Sequence, residues 1–127
     1  QRADLEGVRW ALASDIGGGP YLSMLDVMAS FVRQNRAAGN GSATFTRALY
    51  RSTQKGADIQ GLGDRKGSFT PGKDLDYIAV KASPETLCAA SADAVLRSVI
   101  SPFETDRDQF DCLVSTTVVE GECLFSC

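Results

Sequence analysis

Cysteines are the residues of this 127-residue chain best suited to covalent chemistry, and the sequence contains no histidine. All four lie within the last 40 residues, at Cys88, Cys112, Cys123 and Cys127. Their spacing lacks the C-x-x-C pairs of zinc knuckles and thioredoxin-type redox sites. An even number of cysteines outside any C-x-x-C motif predicts two disulfides, and disulfides persist in oxidising compartments. We therefore expect a secreted protein with no metal site and no cofactor.

The absence of histidine bears on catalysis. It excludes Ser–His–Asp and Cys–His arrangements as well as HExxH metal sites within these residues. Paired carboxylates remain available for hydrolysis, because Glu104, Asp106, Asp108 and Asp111 lie close together in the sequence. Clustered acids in a loop are typical of a solvated surface, so we do not expect an enzyme. A carboxylate-based hydrolase is the least favoured alternative.

Two glycine-rich segments resemble phosphate-binding loops. Gly17-Gly18-Gly19-Pro20 precedes a predicted helix, and the N-terminus of a helix attracts anions. Residues 61–67 are also rich in glycine, but they lack the flanking strand and helix of a nucleotide-binding fold. Neither segment matches G-x-G-x-x-G or the P-loop, so we favour a simple strand-to-helix turn for the first.

Positive charge is concentrated in the middle of the chain, between two acidic flanks, although the net charge is −3. The basic residues proposed to bind a partner are Arg47, Arg51, Lys55, Arg65, Lys66 and Lys73. The first three share one face whether their segment is a helix or a strand. We expect a protein partner or an acidic ligand, but not nucleic acid, because the chain is acidic overall and lacks interleaved aromatic residues. The alternative is that these charges meet acidic residues across the folded surface.

The first half of the chain predicts helices and strands in alternation. Val8–Ala13 alternates loosely and predicts a strand, with Trp10 as an anchor. Apolar residues at helical spacing then predict a helix from Pro20 to about Ala38. Residues 43–53 fit either a strand or a short helix. Residues 54–73 contain five glycines and predict a long exposed loop.

The second half has clearer signals. Leu75–Ala82 predicts a buried strand, and Ser83-Pro84 predicts the start of a helix that ends at Pro102. Residues 110–119 and 122–127 predict two strands joined by a turn at Glu120-Gly121. The longest apolar run is far shorter than the ~20 residues of a membrane span, so we expect none.

The predicted hairpin constrains the disulfides. Alternation along its strands places Cys112, Cys123 and Cys127 on one face, while Cys88 lies on the apolar face of the preceding helix. Pairing Cys123 with Cys127 is disfavoured, because four residues of strand span about 13 Å. We favour Cys88–Cys123 with Cys112–Cys127. The combination of Cys88–Cys127 with Cys112–Cys123 stays open.

These elements predict one α+β domain over residues 1–127. An antiparallel sheet would carry two helices on one face, in a ferredoxin-like βαβ-βαβ order with an added C-terminal strand. The two disulfides would connect the last helix to the final hairpin.

The chain resembles the small cysteine-stapled proteins that fungi secrete, namely killer-toxin-like proteins and plant-pathogen effectors. The shared features are Gln1 as a mature-looking first residue, the two α/β halves, the Asn40-Gly41-Ser42 glycosylation sequon and the four cysteines. The resemblance implies a non-enzymatic protein that acts by binding in a host. We accordingly expect an effector or toxin-like module that uses its basic surface. The alternative is a bacterial extracytoplasmic domain, such as a pilin-like subunit or a periplasmic sensor.

Overall fold

The computed structural model describes residues 2–106 and 110–127, with the side chains of residues 110 and 111 left aside. Gln1 and Asp108 lie outside the described residues, as does the side chain of Asp111, so the expectations for them are not addressed. The helices are α1 (Arg2–Leu5), α2 (Met24–Ala37), α3 (Phe45–Ser52), α4 (Gln54–Ile59), α5 (Pro84–Leu87), α6 (Ala92–Ile100) and α7 (Phe110–Leu113), with a 3₁₀ turn at Ser101–Glu104. The strands are β1 (Tyr77–Val80), β2 (Val114–Val119) and β3 (Glu122–Ser126).

Helices α2, α3 and α6 build most of the core. Met28 and Ile100 are almost completely buried, and Phe45 and Ala48 of α3 pack into the same cluster. Burying one side chain of this size contributes roughly 1.5–3 kcal/mol. Val80 and Val114 pack against the cluster from the sheet. The fold is therefore held together mainly by contacts between helices, with the sheet attached at one side.

The three strands form an antiparallel sheet in the order β1-β2-β3. Val118 is buried, whereas its neighbour Thr117 pairs with Ile78 on one side and Phe125 on the other. Ile78 and Phe125 are both about half exposed. One face of the sheet thus packs on the helices, and the other presents apolar side chains.

Several predicted elements are confirmed. Helix α2 matches the amphipathic pattern, and it begins after Ser23, whose hydroxyl accepts a hydrogen bond from the Leu25 N–H. Residues 45–52 adopt the helical alternative, capped by Thr44. Strand β1 lies within the predicted segment, but it is not buried as predicted, since Ile78 is about half exposed. The turn at Glu120-Gly121 is also confirmed, with φ values of 51° and 81° that suit a tight hairpin.

Other predictions are wrong for local reasons. Residues 8–13 form no strand in the described part of the chain, and the Leu12 N–H bonds to the Arg51 carbonyl of α3 instead. The predicted loop at 54–73 begins with helix α4. The helix expected from Ser83 to Pro102 is two helices, because the Ser91 hydroxyl caps a new start at the Ala94 N–H. Residues 110–113 are helical, so β2 is shorter than predicted.

The expectation of a ferredoxin-like fold with two disulfides is wrong. Among the described residues, the first half is helical and both strand pairs are antiparallel, so no βαβ unit forms. The cysteines are free and exposed: Cys88, Cys112, Cys123 and Cys127. Cys112 lies on α7 rather than on a strand, and Cys88 ends α5. A register shift between Thr117 and Val118 further alters the predicted alternation.

A search for membrane-spanning helices gives a negative result. None of the helices within the two described ranges combines the length and the hydrophobicity needed to cross a bilayer.

Candidate functional site

The loop at residues 15–19 holds one aspartate in an uncommon conformation. Asp15 has a φ of 50°, in the left-handed region that side chains other than glycine seldom adopt. Its carbonyl accepts hydrogen bonds from the N–H groups of Gly18 (2.9 Å) and Gly19 (2.5 Å). Backbone strain of this kind is concentrated at active sites and ligand-binding segments. The loop is therefore a candidate functional segment.

Two of the glycines are required by close approach. A Cβ at Gly18 would lie 2.7 Å from the Asp15 Oδ2, and a Cβ at Gly19 would overlap the Ser14 carbonyl oxygen. The chain thus folds back tightly over Ser14 and Asp15. Helix α2 begins only at Met24, so this turn is not the first turn of the helix. The idea of an anion site at that helix N-terminus therefore finds no support in the geometry.

A groove of about 440 Å³ runs beside this loop and along α2. Its wall includes a chain of polar side chains, in which the Tyr21 hydroxyl lies 2.9 Å from the Ser30 Oγ. The Gln34 Nε2 donates to the same Ser30 oxygen at 2.7 Å. The volume falls in the range of small-molecule sites.

Asp15 is one of the residues that line this groove. Asp15 is exposed, and its side chain forms no ion pair with any residue that the structure describes. A carboxylate held at a groove can take up and return a proton during a reaction. The sequence singled out the adjacent glycines but missed Asp15. The available signal was an acidic residue two positions before the run of three glycines that begins at Gly17.

A second, larger cleft of about 580 Å³ lies between the α3–α4 region and β1. Its lining is mainly apolar and includes the rings of Phe69 and Tyr77, whose centroids are 6.0 Å apart. The charged groups at its edge, Lys66 and Asp76, bind each other at 2.5 Å. This cleft therefore offers apolar surface, but its charges are already neutralised.

The first part of the predicted basic surface is bound to one carboxylate. Arg47 and Arg51 contact the two oxygens of Asp4 at 2.5 and 2.6 Å. Burial alone would raise the pKa of Asp4. The hydrogen bond from Trp10 and the charges of both arginines outweigh that effect, so the pKa of Asp4 is lowered. Lys55, the third basic residue of this part, lies instead 3.6 Å from the carboxylate of Asp58.

The second part is bound to other acidic residues. Arg65 lies 2.9 Å from Asp74, and the hydrogen bond to Asp76 raises the pKa of Lys66. The pKa of Asp76 is lowered by the N–H of Glu120 and then by Lys66.

Lys73, the last of the six basic residues, forms no ion pair with an acidic residue that the structure describes. Its ammonium donates instead to the Gln54 side chain and to the Gly63 carbonyl. For the other five basic residues, opposite charges meet across the folded surface, which was the alternative interpretation. Binding of a partner by the six residues stays a prediction.

Asn40 of the sequon is buried. Its amide donates to the Asn35 Oδ1, and its own oxygen accepts hydrogen bonds from the N–H and the hydroxyl of Ser42. Glycosylation of Asn40 stays a prediction, although the side chain is engaged within the fold.

The described residues do not fit a metal centre. Within residues 2–106 and 110–127, no three acidic or thiol side chains come together in a way that could hold a metal ion. The chain also lacks histidine, the commonest metal ligand.

Comparison with known proteins relates the chain to one family. The model of the Amidohydrolase family matches residues 2–124. A probable guanine deaminase of Deinococcus radiodurans is 36% identical over 74 residues, which is 57% of this chain and 17% of that protein. The guanine deaminase of Escherichia coli is 25% identical over 118 residues, or 93% of this chain and 27% of that protein. The chain thus spans less than a third of the length of these relatives.

Solved structures agree in fold. The E. coli guanine deaminase structure superposes with a TM-score of 0.78 at 24% identity, over 99% of this chain and 29% of that one. The guanine deaminase from Bradyrhizobium japonicum gives a TM-score of 0.65 at 24% identity, over 98% and 33% of the two chains. The fold is therefore that of a part of these proteins and not a ferredoxin-like domain.

These similarities correct the functional expectations from the sequence. The resemblance to secreted fungal effectors and killer-toxin-like proteins is wrong, because the chain matches a hydrolase family along nearly its whole length. A non-enzymatic binding module is wrong for the same reason. The expectation of a secreted protein is contradicted by the relationship to guanine deaminases. Of the functions considered from the sequence, the hydrolase, which was the least favoured, agrees best with the comparisons.

Proposed function

Because the chain belongs to the amidohydrolase family, we propose that it forms part of an enzyme that deaminates guanine by hydrolysis. In such a reaction a water oxygen bonds to the ring carbon that carries the amino group. The carbon–nitrogen bond then breaks, ammonia leaves and xanthine remains. Support for this substrate comes from the relatives, which are named guanine deaminases. The observation that carries the proposal is that Asp15, with its left-handed backbone, lines a groove in a chain of this family.

Asp15 would carry the proton in this reaction. Its carboxylate accepts a proton from the attacking water and returns it to the departing amino nitrogen, so the proton is conserved within the site. A positioned acid–base group contributes roughly 10²–10⁴-fold to a rate. The glycine loop supports this role, since its hydrogen bonds to the Asp15 carbonyl hold the backbone in place.

The polar wall of the groove would orient the base. The Gln34 amide and the Tyr21 and Ser30 hydroxyls form a connected set of donors and acceptors. A purine presents ring N–H groups and a carbonyl oxygen along its edge, and side-chain amides and hydroxyls recognise such groups. The groove of about 440 Å³ is large enough for one such ring system.

Hydrolytic deaminases often activate water on a bound metal ion. The described residues do not fit such a site, so no step is assigned to a metal here. The chain covers 27% of the E. coli relative, so the proposed activity belongs to the whole polypeptide that contains these residues.

Direct measurement of the reaction tests the proposal. The complete polypeptide carrying this sequence would be incubated with guanine, and the formation of xanthine and ammonia would be followed together. Adenine and cytosine serve as controls for other amino-substituted bases. We expect one ammonia for each guanine consumed. A polypeptide that is folded and leaves guanine unchanged would overturn the proposed function.

A further inference from the structure

A second group of residues fixes the segment that leads to Asp15. Arg51 of α3 places its guanidinium 4.0 Å above the Trp10 ring. The same guanidinium donates to the Trp10 carbonyl at 3.0 Å and to the Asp4 Oδ1 at 2.6 Å. One side chain therefore makes a cation–π contact, a backbone hydrogen bond and an ion pair at the same time.

The surrounding groups strengthen this arrangement, which we call the Arg51 clamp (Asp4, Trp10, Arg47 and Arg51). The Trp10 Nε1 donates to the Asp4 Oδ1 at 3.1 Å, and Arg47 occupies the other oxygen. The Arg51 carbonyl accepts the Leu12 N–H at 3.1 Å. The clamp thus attaches three points of the N-terminal segment to helix α3.

The clamp limits where Asp15 can lie. Leu12 is three residues before Asp15, and three residues of chain reach about 10 Å at most. Leu12 lines the Asp15 groove and packs against the core. The Trp10 ring contacts Phe31 at a centroid distance of 5.7 Å, and Phe31 forms part of the same groove. The clamp is therefore connected to the groove both along the chain and through the aromatic rings.

Apolar burial holds this segment only in part, at Trp10 and Leu12. Leu5, Val8 and Ile16 are exposed by 82%, 52% and 74%. Residues 8–13 also lack the strand partners that would otherwise fix them. The polar and cation–π contacts of Arg51 consequently add a polar attachment of the segment to α3, beside the ion pair of Arg47.

We propose that Arg51 is a positioning residue for Asp15, because its guanidinium clamps the segment that sets the place of the Asp15 carboxylate in the groove. The effect on catalysis rests on the proposed function, whereas the structural effect does not. A displacement of about 1 Å can reduce a rate by as much as 10²-fold.

The test combines kinetics with fluorescence. Arg51→Met keeps most of the aliphatic stem but removes the guanidinium. We expect a 10- to 100-fold lower kcat for guanine with a smaller change in KM. Trp10 is the only tryptophan in this sequence, and its contribution to the emission should shift to longer wavelength as the ring is released. In the complete polypeptide, the signal is assigned by subtracting the emission of a Trp10→Phe variant.

Control variants separate the possible outcomes. Arg97→Met removes an exposed arginine that is paired within α6 and should alter neither kcat nor emission. Asp4→Asn weakens the clamp and leaves the sequence of α3 unchanged, so it should reproduce the Arg51→Met effect in milder form. A released Trp10 with unchanged kcat would overturn the positioning role while the proposed function stands. Unchanged Trp10 emission in Arg51→Met would overturn the clamp itself. If the wild-type polypeptide does not deaminate guanine, the proposed function fails, and the emission result alone then decides whether the clamp exists.

Discussion

The close approach of Gly19 to the Ser14 carbonyl explains why a small residue is needed next to the strained aspartate. The obstacle is a backbone oxygen, so no side-chain rotation can relieve the overlap. The Gly19 N–H also donates to the Asp15 carbonyl. Any substitution that opens the loop should therefore shift Asp15 as well.

Gly19→Ala tests this dependence. We expect a lower kcat for guanine and a loss of roughly 1–3 kcal/mol in the free energy of unfolding, because the loop must open to admit the methyl group. Urea denaturation and steady-state kinetics would measure the two effects. Gly41→Ala is the matched control, since a Cβ there meets nothing within 4 Å. Equal behaviour of the two variants would show that the loop is not constrained.

At the scale of elements, one acidic residue joins the 60–76 segment to the β2–β3 turn. Asp76 accepts the Glu120 N–H at 2.7 Å and binds Lys66 at 2.5 Å. Both contacts favour the ionised carboxylate. The Glu120 hydrogen bond, followed by that of Lys66, lowers the pKa of Asp76 in the folded state.

This contact predicts a specific pH dependence. Because folding lowers the pKa, Asp76 contributes stability above the unfolded pKa of about 4, and that contribution is lost as the pH falls through the lower folded value. The Tm of wild type should exceed that of Asp76→Asn at pH 7, and the difference should shrink as the pH falls below about 4 and vanish below the folded pKa. Thermal unfolding monitored by circular dichroism would measure it. A difference that persists at pH 2 would contradict the assigned cause.

Local patterns were sufficient to predict individual elements. The apolar spacing of α2 and the turn at Glu120-Gly121 are properties of neighbouring residues, and the structure confirms them. The strand expected at residues 8–13 depended on partners distant in sequence. Its alternation is real, but in the described structure its backbone bonds to a helix.

At the scale of the whole molecule, two inferences failed because they used composition in place of geometry. An even count of cysteines indicated disulfides, yet Cys88 and Cys112 lie on helices α5 and α7 or at their ends, and all four thiols are free. The absence of histidine was used as an argument against catalysis. That argument applies to these 127 residues alone, whereas the relatives are more than three times as long.

The candidate site was only half visible in the sequence. The three glycines indicated only a simple strand-to-helix turn, and the strain at Asp15 arises from a backbone angle that no composition reveals. The Arg51 clamp was equally hidden, because it joins residues 41 and 47 positions apart. The six basic residues were predicted to bind a partner, which stays a prediction. Their acidic partners could not be identified without the fold.

The central claim is that Asp15 carries the proton during the hydrolysis of guanine, and one substitution tests it most directly. Asp15→Asn keeps the shape of the side chain and removes its basicity. Steady-state kinetics of xanthine formation by the complete polypeptide should show kcat reduced by roughly 10²–10⁴-fold with little change in KM. Asp64→Asn, which removes the same charge from an exposed turn, should retain full activity. A kcat for Asp15→Asn equal to that of the Asp64→Asn control would contradict the account.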